Sequence, residues 1–139
     1  MKWQHLALAA AGAGAAALVF APTRNRYNLL GKVVLITGSS RGLGLQLARE
    51  FGLEGARLAI CARDREELET ARRDLEERGF PVHAVPCDIT KPHDVASMIV
   101  EVSSVLGDID VLVNNAGVIQ VGPFTEMTRE DFERAMDIM

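Results

Sequence analysis

The sequence predicts an α/β fold: the N-terminal half of a doubly wound parallel sheet, strand order 3-2-1-4, preceded by an apolar N-terminal segment. Three observations carry that prediction. After Gly31, short apolar runs alternate with longer amphipathic ones, the pattern of repeated strand–helix units that pair in parallel. A glycine turn, Thr37-Gly38-Ser39-Ser40-Arg41-Gly42-Leu43-Gly44, joins the first apolar run to the first amphipathic one. A second turn, Asn114-Asn115-Ala116-Gly117, follows the fourth apolar run. Right-handed crossovers fix the strand order and put a ligand crevice where that order reverses, between strands one and four. Both turns end at that point.

The elements follow in chain order. From Leu6 to Ala21 there is no charged or strongly polar residue, with Lys2 and Trp3 before the run and Pro22, Arg24 and Arg26 after it. The run is shorter than the roughly 20 residues of a spanning helix and rich in alanine and glycine. A signal anchor or interfacial helix, a cleaved signal peptide and a self-packed arm are all compatible with residues 1–26. For an anchor, Arg24, Arg26 and Lys32 outnumber Lys2 plus the amino terminus, so the folded part is expected on the cytoplasmic face of a membrane; without one it is cytoplasmic.

Strands are expected near 33–37, 57–62, 82–87 and 110–114, and helices near 42–54, 64–78, 91–106 and 129–139. Asp64 with Glu67 supplies an N-cap and capping-box pair for the second helix, Thr90 with Pro92 opens the third, and Thr128 caps the fourth. Gly79 and Gly107 stop the helices before them. Phe132, Ala135, Met136 and Met139 keep helical spacing to the last residue with no capping glycine or proline. The fourth helix is therefore expected to continue past the chain, and residues 31–139 to be the front part of a longer domain. An apolar sheet edge should then favour self-association, with a homo-oligomer expected for the full-length protein.

Composition sets bounds on function. With 139 residues, 48% hydrophobic and 24% charged, the chain is globular and holds at most one domain. A net charge of -4 and no basic stripe with interleaved aromatics exclude nucleic acid as a partner. Cys61 and Cys87 end two expected strands without forming a CxxC pattern, and His5, His83 and His93 fall on unrelated elements. No metal site is indicated, and the thiols read as buried in a reducing compartment.

The chemistry lies in the turns. A strand that ends in a glycine turn and feeds a helix aims unpaired backbone N–H groups and the positive end of the helix dipole at one point, where an anion belongs. The spacing is neither GxGxxG nor the Walker pattern, which needs a Lys where Leu43 follows Gly42. It is Thr-Gly-x-x-x-Gly-x-Gly.

That turn resembles the cofactor turn of the short-chain dehydrogenase/reductase family, and Asn-Asn-Ala-Gly after the fourth strand is a second match. The resemblance covers residues 31–139. It implies a Rossmann-like domain that binds NAD(P), and hydride transfer between that cofactor and a small alcohol or carbonyl substrate. It also implies cofactor contacts from Gly38, Ser39, Ser40, Arg41, Gly42, Leu43 and Gly44, and from Asn114, Ala116 and Gly117, with Asn115 as a sheet brace. Asp88, followed by Ile89, stands at the third strand's end, where the resemblance implies a hydrogen bond to the adenine amine; on its own it reads better as a helix-entry Asp stabilised by the dipole.

Cofactor choice falls at the end of the second strand. NAD sites place a carboxylate there for the ribose 2′-OH, but the chain reads Cys61-Ala62-Arg63. Arg63, and Arg41 from the other side, could clamp a 2′-phosphate. One net charge-assisted hydrogen bond, about 1.5–3 kcal/mol, gives tenfold or more in favour of NADP. Asp64 would oppose that phosphate and is assigned to the helix cap.

The family's proton-transfer residues are a Tyr with a Lys four positions on, and a Ser that orients the substrate oxygen. The single tyrosine, Tyr27, precedes the first strand and has Gly31 at the fourth position after it, and no Tyr, Ser or Lys follows Gly117. Met139 falls where the family often carries an active-site Asn. No catalytic residue is assigned, and the chain alone is expected to be inactive. Two other classes stay open: a non-catalytic dinucleotide-binding module or sensor, and a membrane scaffold built on the N-terminal arm.

Overall fold

The computed structural model describes residues 27–118 and 121–138. The N-terminal segment 1–26, its apolar run 6–21 and Met139 lie outside the described residues. Among the described residues no helix is long and apolar enough to cross a membrane.

Four strands, β1 (Val33–Thr37), β2 (Arg57–Ala62), β3 (Val82–Pro86) and β4 (Val111–Val113), alternate with helices α1 (Gly42–Leu53), α2 (Arg65–Glu77), α3 (Pro92–Leu106) and α4 (Arg129–Met136). The sheet is parallel with order β3-β2-β1-β4, the order expected from right-handed crossovers. The register pairs Thr37 with Cys61 and Ile36 with Val113, so β1 is the central strand on which the site is built.

The apolar runs become strands because a parallel strand is covered on both faces and needs no polar alternation. All five residues of β1 are buried. Val34 and Ile36 point to one face, where Leu58 and Ile60 join Ala48 of α1 and Leu68, Ala71 and Leu75 of α2. Val33 and Leu35 point to the other, where Ala59, Cys61, Val85 and Cys87 meet Met98, Val102 and Leu106 of α3. Each fully buried Leu or Ile contributes about 1.5–3 kcal/mol. The two clusters define the doubly wound arrangement: α1 and α2 on one side, α3 on the other.

Caps explain most boundaries. Asp64 accepts from the backbone N–H groups of Glu66 and Glu67, each at 2.9 Å, and starts α2. Thr128 and Asp131 form a full capping box at α4. Gly79 and Gly107 follow α2 and α3 with φ of 81° and 91°, a conformation that ends a helix.

Three expectations are corrected. The cap of α3 is Lys91 rather than Thr90, because the Thr90 hydroxyl turns back to Asp88 at 2.8 Å. The expected Glu67 half of the α2 capping box goes elsewhere: its carboxylate reaches the glycine turn. And α4 runs to Met136 rather than through 139, with Phe132 and Met136 exposed; Phe132 packs edge-on against Phe124 of the short 3-10 turn Phe124–Glu126, ring centroids 6.0 Å apart.

Candidate dinucleotide site

The carboxyl ends of the four strands frame a cleft of about 830 Å³ at the point where the strand order reverses. Its walls come from the glycine turn, the β2–α2 junction, the β3–α3 junction and the segment after β4. Of the residues expected from sequence, Gly38, Ser40, Arg41, Gly42, Leu43, Arg63, Asp88, Ile89, Ala116 and Gly117 line it.

The glycine turn is shaped by what lies behind it. Gly38 has φ +63°, and a Cβ there would meet the Ala116 Cα at 2.7 Å. Gly44 faces the interior: a Cβ would lie 2.4 Å from the Gly38 carbonyl and 2.5 Å from Asn115 Nδ2. Only glycine lets α1 seat this close to the sheet. The N-cap of α1, Arg41, is extended and its side chain makes no cap hydrogen bond. The first-turn N–H groups, which have no partner within the helix, and the helix dipole therefore face the cleft, where an anion is favoured by about 0.3–1 kcal/mol or more.

The turn is held to β4 by Thr37 and Asn115. The Thr37 hydroxyl accepts from the Asn115 and Ala116 N–H groups, both at 3.0 Å, and Asn115 Nδ2 donates to the Thr37 and Gly38 carbonyls, both at 2.9 Å. Asn115 thus braces the two strand ends as well as lining the cleft.

Three expected contact residues are not at the cleft wall. Ser39 is fully buried and faces the sheet: its hydroxyl donates to the Ile36 carbonyl at 2.7 Å and accepts from Cys61 N–H at 3.1 Å, so it extends the β1–β2 pairing by one step. Gly44 serves helix–sheet packing. Asn114 lines an adjoining groove of about 300 Å³ on the α3 side, with Leu35, Met98, Ile99 and Leu112, which shares Ile89 and Ile138 with the cleft. Alternation along the chain explains the split between Asn114 and Asn115: consecutive residues leave an extended segment on opposite faces.

The electrostatics are mixed. Arg41 and Arg63 share the cleft with Asp64, Glu67 and Asp88. Asp88 Oδ1 accepts from the Thr90 hydroxyl at 2.8 Å and from its N–H at 3.2 Å, and Lys91 Nζ stands 3.7 Å from Oδ2. The Thr90 hydroxyl, the Thr90 N–H and more distant cations hold the Asp88 carboxyl below its ordinary range, so it is an acceptor at neutral pH. Cys61 and Cys87 form part of the floor, and burial pushes the Cys61 thiol up to about 12 and raises Cys87 as well. Both are neutral, apolar surface. Among the described residues no group of three His, Cys, Asp or Glu could hold a metal ion.

Glu67 is the residue that sequence reasoning missed. Its Oε2 accepts from the Ser40 hydroxyl at 3.2 Å and its Oε1 lies 3.5 Å from Arg41 Nη1. The signal was its place in the first turn of a helix that starts beside the glycine turn, but only the β1–β2 register brings the two together.

A parallel sheet with an uncapped helix N-terminus at its switch point defines the class of dinucleotide-binding α/β domains. The model of the short chain dehydrogenases matches residues 32–139, and the chain belongs to that family. It is 38% identical over 108 residues to the uncharacterized oxidoreductase YxjF of Bacillus subtilis, covering 78% of this chain and 42% of that protein. It is 42% identical over 113 residues to 11-beta-hydroxysteroid dehydrogenase 1A of Arabidopsis thaliana, covering 81% and 32%. Among solved structures, a metagenomic short-chain oxidoreductase in complex with NADP superposes with a TM-score of 0.72 at 34% identity, covering 81% of this chain and 51% of that one. The chain spans less than half the length of these curated relatives.

Proposed function

We propose that residues 31–139 form the NADP-binding part of an oxidoreductase that moves hydride between NADP and a small alcohol or carbonyl. The observation that carries this reading is the convergence in one cleft of the uncapped α1 N-terminus, two arginines at its rim, and Asp88 with Ala116–Gly117 across from them. The residues suit the cofactor in chemistry as well as position. Gly42 and Leu43 offer first-turn N–H groups to the pyrophosphate, Arg41 and Arg63 offer cations to a 2′-phosphate, and Asp88 offers an acceptor to the adenine amine. Support for the NADP form comes from the strand tip, Ala62-Arg63 in place of a carboxylate, and from the NADP complex of the metagenomic relative.

The bound nicotinamide would supply the hydride; this chain's own residues bind and orient its carrier. Thr37 and Asn115 keep the glycine turn and the β4 end at a fixed separation, and Cys61, Ala62 and Ile89 give the adenosine side an apolar floor. No Tyr-x-x-x-Lys pair is present in the 139 residues, so proton transfer of the family's type needs residues outside them.

Titrating the 139-residue chain with NADPH and NADH, with and without Arg63→Ala, tests the proposal. Wild type should bind NADPH more tightly, and the substitution should lower the NADPH/NADH affinity ratio about tenfold. An unchanged ratio removes the clamp, and no binding of either nucleotide removes the site. Turnover by a longer protein that carries Ser and Tyr-x-x-x-Lys would separate the enzyme from the module.

A further inference from the structure

The corner of the cleft best suited to a 2′-phosphate already contains an anion. Asp64 ties down the first-turn amides of α2, and the pairing of Thr37 with Cys61 sets that turn beside the glycine loop. Glu67 then uses both carboxylate oxygens on two of the loop's polar side chains, Oε2 on the Ser40 hydroxyl and Oε1 on the Arg41 guanidinium.

We propose that Glu67 is a cofactor-discriminating residue, whose carboxylate competes with the 2′-phosphate of NADP for Ser40 and Arg41 and so limits the preference for NADP over NAD. The inference rests on the dinucleotide reading of the cleft. Competition rather than support follows from exposure. The Arg41 side chain is 81% and the Glu67 side chain 41% accessible, and an ion pair in such a setting holds its partners weakly. A dianionic phosphate therefore takes the guanidinium, but the displaced carboxylate stays anchored on α2 and repels it. A ribose 2′-OH carries no charge, and can donate to that carboxylate. Asp64 plays no equal part, because its Oδ1 is committed to two backbone N–H groups.

The test uses the 139-residue chain and calorimetric titration with 2′,5′-ADP and 5′-AMP, which isolate the adenosine half, and with NADPH and NADH. Glu67→Gln, close to isosteric, should tighten 2′,5′-ADP and NADPH by about three- to tenfold, the size of one screened charge contact. It should leave 5′-AMP and NADH unchanged or weaker. Glu67→Ala should shift the ratio in the same direction. Glu66→Gln makes the same charge change one residue away, outside the cleft wall, and should leave the ratio unaltered. Equal tightening of all four ligands, no change, or weaker 2′,5′-ADP in the Glu67 variants overturns the proposal; the last would make Glu67 a support for Arg41. If wild type binds none of the four, the cleft is not a dinucleotide site and the inference falls with that reading.

Discussion

Thr37 and Asn115 bind each other in both directions: the Thr37 hydroxyl accepts the Asn115 N–H at 3.0 Å, and Asn115 Nδ2 donates to the Thr37 carbonyl at 2.9 Å. The same hydroxyl and amide also hold Ala116 N–H and the Gly38 carbonyl. Two residues 78 positions apart thereby close the two strand ends that flank the cleft.

Asn115→Ala should destabilise the chain by about 1–3 kcal/mol, because two half-buried carbonyls lose their donor. It should also weaken nucleotide binding. Asn114→Ala, in the adjoining groove and without a part in the brace, should cost the cleft less affinity than Asn115→Ala. Urea melts and NADPH titrations of the two variants check both statements; similar binding losses would contradict the assigned faces.

Glycine substitutions should separate packing from ligand approach. At Gly44 a Cβ meets the Gly38 carbonyl and Asn115 Nδ2 inside 2.6 Å, so Gly44→Ala should push α1 off the sheet, lower stability by about 1–3 kcal/mol or more, and abolish binding. At Gly117 the nearest atom is 4.0 Å away. Gly117→Ala should therefore fold normally, and any loss it shows should appear in nucleotide affinity alone. Thermal melts beside titrations give the comparison.

Acid should weaken the fold through Asp110. The Lys32 ammonium, at 2.7 Å, and the Val33 N–H, at 2.9 Å, hold its carboxyl below the usual carboxylate range. A carboxyl whose pKa is lower folded than unfolded contributes stability in full above the unfolded value, near 3.9. That contribution fades as pH falls toward the lower folded value. Asp110→Asn should flatten the low-pH limb of a stability–pH profile without changing its shape between pH 6 and 8. A limb identical to wild type would show that the pair contributes nothing.

Cys61 and Cys87 should resist alkylation in the folded chain. The Cys61 thiol, pushed up to about 12 by burial, is almost wholly protonated at pH 8, and Cys87 is only 3% exposed; the thiolate is the reactive form. Iodoacetamide at pH 8 should label both in urea and neither without it, read by intact mass. Rapid labelling of native protein would contradict the assigned burial.

The parts that could be read from sequence share one physical property: they depend on neighbours within a few residues. The apolar runs of β1 and β2, the Asp64 and Thr128 caps and the Gly79 and Gly107 stops are local signals, and each stands where its residues imply. The glycine turn was legible for the same reason. Ser39, Asn114 and Glu67 were not, because their directions depend on register. Ser39 turns inward to meet Cys61 on the neighbouring strand, Asn114 leaves β4 on the α3 side, and Glu67 leaves its capping role for side chains 26 and 27 positions away. The Phe132–Phe124 contact was not legible either, because it depends on how the short turn Phe124–Glu126 sits against α4.

The Lys32–Asp110 pair and the Thr37–Asn115 pair stand one to two residues beyond the two ends of the same short ladder, Val34–Val111 to Ile36–Val113. A three-residue strand at the rim of a sheet would ordinarily fray, exchanging its amide hydrogens with solvent far faster than the strands inside. Tied at both tips, β4 resists peeling from either end, so the β4 amide that faces β1, Leu112 N–H, should exchange far more slowly than in an untied strand of this length.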